Sequence, residues 1–314
     1  MKRLIVTADD FGAAHEVNEA VETAHRRGIL TAASLMVSGR AAADAVERAR
    51  QMPQLRVGLH LVLVEGRPTL PASQVSRLVG ADGCFRSDMA RLGAEIAFST
   101  RARRQLIAEI IAQFEAFAAT GLALDHCNAH KHFHLHPTIG RIMAFIGQRF
   151  GVRAVRVPAE PLSVLREVEP STTRAPSLLT APLAGLLKRQ LRAAGLDYPD
   201  RVFGLRWSGA MTQARLAGLL RQLPEGLTEI YLHPATGAYA GSAPGYRYRD
   251  EMEALTAPDI VKAGRGGTVR LGGFVDFVGP AAAGSPAARS PAATSPATGG
   301  SHPPLRSEAN QQSL

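Results

Sequence analysis

The stretch Leu4-Ile-Val-Thr-Ala-Asp-Asp-Phe-Gly12 begins with an apolar, β-branched run and ends in two adjacent carboxylates followed by an aromatic residue and a glycine. The run predicts a buried strand, and apolar positions within residues 16–27 recur at helical spacing. Gly28 follows directly, as expected just past the end of a helix. The chain therefore opens with a strand that delivers two acidic side chains to the loop before a helix.

The same alternation continues along the chain. Further strands are expected over residues 32–37, 56–64, 123–127, 152–157 and 229–232, and further helices over residues 41–52, 104–119 and 139–150. Strands that alternate with helices are typical of a parallel sheet, which is either closed into a barrel or open and doubly wound. The sequence therefore predicts an α/β fold.

Composition sets the size of the folded part. The chain has 314 residues, of which 46% are hydrophobic, and this suffices for one domain of barrel size. From residue 279 onward the sequence is rich in Ala, Pro and Ser and has too few large apolar residues to form a core. We therefore predict a folded domain over residues 1–278 and a disordered tail over residues 279–314. Cys84 and Cys127 are expected to be free thiols in a reducing cytoplasm.

The net charge limits the class of partner. The formal charge is +9, but Arg and Lys are scattered and aromatic residues make up only 5% of the chain, so we expect no nucleic-acid partner. No apolar stretch approaches the roughly 20 residues needed to span a bilayer, and we expect no secretory signal at the N-terminus. The basic charge leaves attraction to an anionic membrane surface as a further interpretation.

Titratable or cationic side chains lie at or near the carboxyl ends of five expected strands. They are Asp9 and Asp10, His60, the histidines that follow residue 128, Arg156, and His233. In a barrel this rim is where active sites are built. Taken singly, each is explained as well by a turn, a helix cap or a hydrogen-bonded core residue. Together they predict a functional site.

The run Asn128-Ala-His-Lys-His-Phe-His-Leu-His-Pro137 contains four histidines at alternate positions. If the run is extended, alternate residues share one face. A solvated histidine-rich loop is the alternative interpretation. A carboxylate and two imidazoles on a divalent metal leave positions open for water and substrate, and such a metal acidifies its water and polarises a carbonyl. Of Asp9 and Asp10, one could then ligate the metal while the other accepts a proton.

Four segments, in the right order, resemble the motifs of the YdjC-like carbohydrate deacetylases. They are Thr7-Ala-Asp-Asp-Phe-Gly12 followed by Asn18, Gly58-Leu-His-Leu61, residues 125–137, and Glu229 with Leu232-His-Pro234. The resemblance covers residues 1–278. It implies a (β/α)-barrel of the glycoside hydrolase/deacetylase superfamily type, distorted or incomplete, that holds one divalent metal ion.

The resemblance also implies a metal-ligand set, namely Asp10, His60 and His130. Lys131 stands where many family members have a histidine, so the register leaves His132 and His134 as alternative ligands. One oxygen and two nitrogen ligands favour Zn, Co or Ni, whereas Mg prefers more oxygen ligands. Because some family members are associated with Mg, the metal is expected to be Zn or Mg, with Co and Ni left open.

Further roles follow from the same motifs. Asp9 is expected to be the general base, and His233 the acid that protonates the leaving nitrogen. Arg156, Asn18 and Glu229 are expected to bind substrate, and Arg156 alternatively to orient the base.

The histidine run together with Tyr231-Leu-His-Pro-Ala-Thr236 resembles the branch of the family associated with hopanoid biosynthesis. That branch implies an N-acetylglucosaminyl hopanoid as the substrate. A basic amphipathic pattern over residues 183–192 is compatible with peripheral contact at the inner face of the membrane, although an ordinary packed helix explains it too. Chitooligosaccharides or other N-acetyl sugars are alternative substrates, and a homodimer is left open.

Two other classes of function are weighed against deacetylation. A glycoside hydrolase on such a barrel needs two carboxylates about 5–9 Å apart across the bond that is broken. Adjacent aspartates span such a bond poorly, and the histidines would have no role. A non-catalytic metal- or lipid-binding protein would use the histidines but has no need for a second aspartate.

Overall fold

The computed structural model describes residues 1–172 and 177–279. Its strands are β1 (Lys2–Phe11), β2 (Ala32–Leu35), β3 (Arg56–Leu61), β4 (Leu124–Ala129), β5 (Arg201–Phe203), β6 (Gly226–Leu232) and β7 (Val269–Leu271). Its α-helices are α1 (His15–Arg27), α2 (Ala42–Arg50), α3 (Met89–Phe98), α4 (Thr100–Ala119), α5 (Pro137–Arg149), α6 (Leu162–Val168), α7 (Ser177–Ala193), α8 (Gln213–Arg221), α9 (Tyr248–Thr256) and α10 (Pro258–Arg265). From residue 280 on, the predicted disordered tail lies outside the described residues.

The strands form one parallel sheet in the order β4-β3-β2-β1-β6-β5, and β7 pairs with the first residues of β1. The gap between the outer strands β4 and β5 is partly filled by an extended segment over residues 152–159. Its Val155 bridges to Cys127 of β4, and its Ala159 carbonyl accepts a hydrogen bond from Val202 of β5 at 3.1 Å. The sheet is therefore a curled, incomplete barrel, and the predicted fold class is confirmed.

Side chains alternate between the inside and the outside of this barrel, as the period of a strand requires. The outward residues of β1, such as Leu4, Val6 and Ala8, belong to the main apolar core that includes the helices. The inward Ile5 belongs instead to a small separate cluster with Ala32, Ala154, Leu227 and Phe274. This cluster closes the amino-terminal end of the barrel interior with apolar groups and leaves the opposite end for polar side chains.

Three expectations about secondary structure differ from the structure. Residues 152–157 form isolated bridges rather than a strand, because they span the gap between two outer strands and share few backbone bonds with either. The short strands β5 and β7 were not predicted, since three residues give no periodic pattern. The histidine run is not extended: β4 ends at Ala129, and His130–Leu135 forms short helical turns with a kink at Lys131 and His132.

The expectations about the cysteines and about membrane-spanning segments can be compared with the described residues. Cys84 and Cys127 are both free, as predicted. Among the helices that the structure describes, none combines the length and the apolar character needed to cross a bilayer.

Candidate functional site

The carboxyl end of β1 is distorted in a way that brings both aspartates to the same cavity. In a regular strand, neighbouring side chains point to opposite faces. Here the pairing of β1 with β2 is interrupted between Ala8 and Phe11, and Asp10 has a left-handed backbone with φ of 62°. Such a conformation is unfavourable for a residue with a side chain and is often found at functional sites. Asp9 and Asp10 therefore both line the cavity at the top of the barrel.

Asp10 meets two histidines from other strands. His60 at the end of β3 places Nε2 3.3 Å from Asp10 Oδ1, and His130 just after β4 places Nδ1 3.1 Å from the same oxygen. Two ligands bound to one ion at about 2.1 Å in tetrahedral geometry lie about 3.4 Å apart. Within the described part of the chain this is the one group of three potential ligands whose donor atoms all lie within 4.8 Å of one another. The donor set therefore fits a single divalent metal.

Burial and these neighbours shift the pKa of Asp10 and of His60. Burial raises the pKa of Asp10, but His130 and His60 lower it more, so that it lies well below its ordinary value. Burial lowers the pKa of His60, but Asp9 and Asp10 outweigh this, and the net pKa is raised. The group is thus an ionised carboxylate facing two imidazoles, an arrangement in which a cation could replace protons.

The alternative ligands His132 and His134 lie outside this group. Lys131 and His132 have left-handed backbones, with φ of 52° and 54°, and the chain turns sharply after His130. As a result, His132 Nε2 lies 2.9 Å from the hydroxyl of Tyr231, and His134 Nε2 lies 2.9 Å from the backbone oxygen of Arg156. The turn separates histidines that an extended strand would have placed on one face.

Asp9 is held from below by Arg156, which is fully buried. The guanidinium donates to both carboxylate oxygens of Asp9, at 2.5 and 2.9 Å, and to Oε1 of Glu229 at 2.9 and 2.6 Å. Thr7 also donates to Glu229 Oε1, at 2.9 Å. Burial raises the pKa of Asp9, but Arg156 and, more weakly, His60 and His233 bring it well below its ordinary value. Asp9 is therefore ionised and firmly oriented.

The three residues predicted to bind substrate lie elsewhere than expected. Arg156, Glu229 and Asn18 are each 0% exposed, and none lines the cavity. Asn18 instead accepts from the backbone of Gly12 at 2.8 Å and donates to the carbonyl of Ala41 at 3.0 Å, which ties α1 to the loop after β1. Of the two roles considered for Arg156, the geometry matches orientation of Asp9.

The cavity above the site has a volume of about 570 Å³ and an aromatic wall. Four tyrosines contribute to its lining, Tyr231, Tyr239, Tyr246 and Tyr248. The imidazole of His233 lies between two of them, with its ring centroid 5.7 Å from that of Tyr231 and 5.3 Å from that of Tyr246, both in edge-on geometry. Its Nδ1 is buried without a hydrogen-bond partner among the described residues. His233 itself lines the cavity, so its ring can meet a bound ligand there.

Several residues of the site were not singled out in the sequence. Glu251 of α9 accepts the backbone N–H of His233 at 2.5 Å and that of Met211 at 2.8 Å, and so anchors the loop that carries His233. Nothing in the sequence around Glu251 distinguishes it from a surface acid of an amphipathic helix. Ser34 could have been identified from the sequence, because a polar residue inside an apolar strand needs a hydrogen-bond partner.

Comparison with known proteins agrees with this architecture. Residues 3–264 match the family model of the YdjC-like proteins. The human carbohydrate deacetylase is 33% identical over 289 residues, covering 82% of this chain and 85% of that protein. The carbohydrate deacetylase of Geobacillus stearothermophilus is 29% identical over 262 residues, covering 82% and 90%.

A solved structure shares the fold. It is a protein of Enterococcus faecalis whose suggested role is cellobiose-phosphate cleavage, with a TM-score of 0.67 and 22% identity over 88% of this chain and 99% of that one. At this identity the likeness concerns the fold alone. The match to the family model spans most of the described chain, and the sequence relatives are covered over most of their length. The chain belongs to the YdjC-like family.

Proposed function

We propose that this protein is a metal-dependent deacetylase that removes the acetyl group from an N-acetylated sugar. The observation that carries the proposal is the pairing, at the floor of one cavity, of a three-ligand group with an ionised aspartate that is not part of it. The names of the human and Geobacillus relatives, both carbohydrate deacetylases, support the choice of substrate class.

In this proposal Asp10, His60 and His130 hold one divalent metal, with Zn or Mg expected and Co or Ni as alternatives. When bound, the metal would acidify a water molecule and polarise the acetyl carbonyl. Three protein ligands leave the remaining positions open on the side of the cavity.

Asp9 is proposed as the general base. Arg156 keeps its carboxylate ionised and fixes both oxygens, so an acceptor is present in one orientation at neutral pH. A carboxylate with a low pKa is a weak base, and it can accept a proton efficiently only from a water that is itself acidified. The role of Arg156 and Glu229 is then to hold the base rather than to contact substrate.

His233 is proposed as the acid that protonates the nitrogen of the leaving sugar amine. Its ring is fixed by Tyr231 and Tyr246, and its backbone by Glu251. Its ring lines the cavity and could meet the substrate there. The aromatic rings around it would pack against the apolar faces of a sugar, whose hydroxyl groups find acceptors and donors at the tyrosine hydroxyls.

The finer identity of the substrate remains a proposal. The resemblance to the hopanoid-associated branch favours an N-acetylglucosaminyl hopanoid, with chitooligosaccharides as the alternative. Leu183 and Leu186 of α7 are 37% and 36% exposed beside basic residues of the same helix, and this supports a peripheral contact with lipid. A cytoplasmic location at the inner face of the membrane and a homodimer belong to the same set of predictions.

The test is acetate release by protein that has been stripped of metal and re-supplied with Zn, Co, Ni or Mg. The substrates are an N-acetylglucosamine oligomer and an N-acetylglucosaminyl hopanoid. We expect metal-dependent acetate release that falls at least about 100-fold in Asp9→Asn, with metal still bound, and that is unchanged in the matched surface variant Asp82→Asn. Activity on the lipid alone would select the hopanoid. Bound metal without acetate from either substrate would refute the proposal and favour a binding protein.

A further inference from the structure

A row of buried polar side chains leads from the barrel interior to the metal-ligand candidate His60. Asp125 Oδ2 lies 2.8 Å from His126 Nδ1, and His126 Nε2 lies 3.0 Å from Ser34 Oγ. Ser34 Oγ lies 2.9 Å from the side-chain amide of Asn128, whose other end lies 2.6 Å from His60 Nδ1. Each of the five residues is at most 2% exposed. Because all five are buried, their donors and acceptors must match within the row.

The direction of the row is set at its far end. Asp125 accepts hydrogen bonds from the backbone N–H groups of Phe274 at 3.1 Å and Val275 at 3.0 Å. Backbone N–H groups can only donate, so this carboxylate acts as an acceptor. His126 must therefore carry its proton on Nδ1 and donate it to Asp125. In the neutral ring, Nε2 is then left as an acceptor.

Each following bond is determined by the one before it. The single hydroxyl hydrogen of Ser34 donates to His126 Nε2, so toward Asn128 the serine oxygen can only accept. The amide nitrogen of Asn128 consequently faces Ser34. The same nitrogen lies 3.3 Å from the acceptor Asp9 Oδ1, but also 3.1 Å from two guanidinium nitrogens of Arg156, which are donors. The amide oxygen then faces His60, whose Nδ1 must carry a proton.

The reversed amide is the competing arrangement. With its oxygen toward Ser34, Asn128 would accept from that hydroxyl at 2.9 Å and from Arg156 nitrogens at 3.1 Å. Ser34 would then have to accept from His126 Nε2, which requires a second proton on that buried ring or an unprotonated Nδ1 facing the carboxylate of Asp125. In this arrangement the amide nitrogen would donate to His60 Nδ1 and force the proton onto Nε2. The ligating atom would be blocked.

The ring of His126 packs against the backbone of Gly58, at a position where only glycine leaves enough space. A Cβ on Gly58 of β3 would lie 2.5 Å from the His126 ring, closer than real Cβ contacts come. On the other side Phe274 stacks on the same ring, with centroids 4.2 Å apart and an interplanar angle of 22°. The ring therefore has one position, and its two nitrogens have fixed partners.

We propose that Asp125, His126, Ser34 and Asn128 are positioning residues that hold His60 with its proton on Nδ1 and its Nε2 free to bind the metal. The proposal rests on the metal site of the proposed function. Groups that orient a metal-bound histidine typically change metal affinity 10- to 100-fold when they are removed. In this structure the orientation of His60 is set at the far end of the row, four side chains away, by the carboxylate of Asp125, which touches neither metal nor substrate.

The first test is the affinity of metal-free protein for Zn and for Co, measured by calorimetric titration. We expect Ser34→Ala to bind both ions about 10- to 100-fold more weakly than the unmodified chain. Thr228→Val is the matched control, because it removes a buried hydroxyl from β6 that has no hydrogen-bond partner in the described chain, and its affinity should be unchanged. Equal affinity of Ser34→Ala and Thr228→Val would overturn the proposal.

The second test needs neither metal nor activity. Nitrogen NMR of the metal-free protein, labelled at its histidines and kept at alkaline pH, reports which ring nitrogen of His60 carries the proton. We expect a proton on Nδ1 in the unmodified chain, whether or not Nε2 also carries one toward Asp10, and loss of the Nδ1 proton in Gly58→Ala, which displaces His126. An unprotonated Nδ1 in the unmodified chain refutes the proposal. If the unmodified chain binds no metal, the proposed function fails, while the NMR result still decides whether the row sets the tautomer.

Discussion

Arg156→Met is the substitution whose effect follows most directly from the structure. The side chain keeps its length but loses the cation that lies between the buried carboxylates Asp9 and Glu229. Removing one partner of a buried ion pair costs about 3–5 kcal/mol, because the remaining charge is left uncompensated. For a domain of this size each kcal/mol lowers the melting temperature by about 2–4 °C. The expected decrease is therefore about 6–20 °C at neutral pH.

The pH dependence of this decrease has a definite sign. In the unmodified chain the pKa of Asp9 lies below its ordinary value of 3.8, so the stability it contributes is present above that pH and is lost only as the pH falls below it. Without Arg156, only His60 and His233 oppose the effect of burial, so the pKa of Asp9 is higher than in the unmodified chain and Asp9 takes up a proton more easily as the solution is acidified. The difference in stability between the variant and the unmodified chain should therefore narrow from pH 7 to about pH 5.

The assay is thermal and urea-induced unfolding followed by circular dichroism at both pH values. Arg86→Met is the matched control: Arg86 also pairs with two carboxylates, Asp88 and Glu95, but its side chain is 23% exposed. Exposed pairs contribute at most about 1 kcal/mol. An equal loss of stability in Arg156→Met and Arg86→Met, or a gap that widens on acidification, would show that the buried ion pair does not have the role assigned to it.

Three further predictions concern other parts of the molecule. Burial lowers the pKa of His134 from 6.5 to about 4. Neutral His134 therefore contributes at most about 3 kcal/mol to the free energy of unfolding above pH 6.5, and this contribution is lost as the pH falls toward 4. In His134→Gln the free energy of unfolding, measured by urea denaturation, should change less between pH 6.5 and pH 4 than in the unmodified chain. Gly209, with φ of +70°, would place a Cβ 2.1 Å from the Tyr246 ring, so Gly209→Ala should lower kcat/KM for the N-acetyl sugar about tenfold or more, whereas Gly195→Ala, with φ of +67° and open space around it, should affect only stability. Burial raises the pKa of Cys127, so iodoacetamide should alkylate Cys84 well before Cys127 in the native protein, as mass spectrometry would show; equal rates would contradict the assigned burial.

The sequence was sufficient for the parallel α/β architecture and for the aspartates and histidines that line the cavity. Apolar residues at a spacing of two or at helical spacing show which face of a strand or helix is buried, and this pattern can be read from neighbouring residues in the sequence. Chemistry-bearing residues that follow five strands could be expected to converge, because the carboxyl ends of parallel strands share one end of a barrel. Asp9, Asp10, His60, His130 and His233 were identified in this way and all line the cavity.

The roles of individual side chains depended on contacts that no local pattern contains. Arg156, Glu229 and Asn18 have the polar character of substrate-binding residues, yet they lie beneath the cavity. The extended segment over residues 152–159, β6 and α1 point them into the protein. The histidine run has a period of two but is not a strand, since left-handed residues at Lys131 and His132 turn the chain after His130.

The row from Asp125 to His60 was beyond reach of the sequence for a related reason. Its members come from β2, β3 and β4, and their hydrogen bonds connect residues up to 94 positions apart. Local sequence determines which residues are polar and which strands they occupy. Only the packing of strands around a common interior determines which donor meets which acceptor, because a hydrogen bond depends on distances of a few tenths of an ångström between parts of the chain that are remote in sequence.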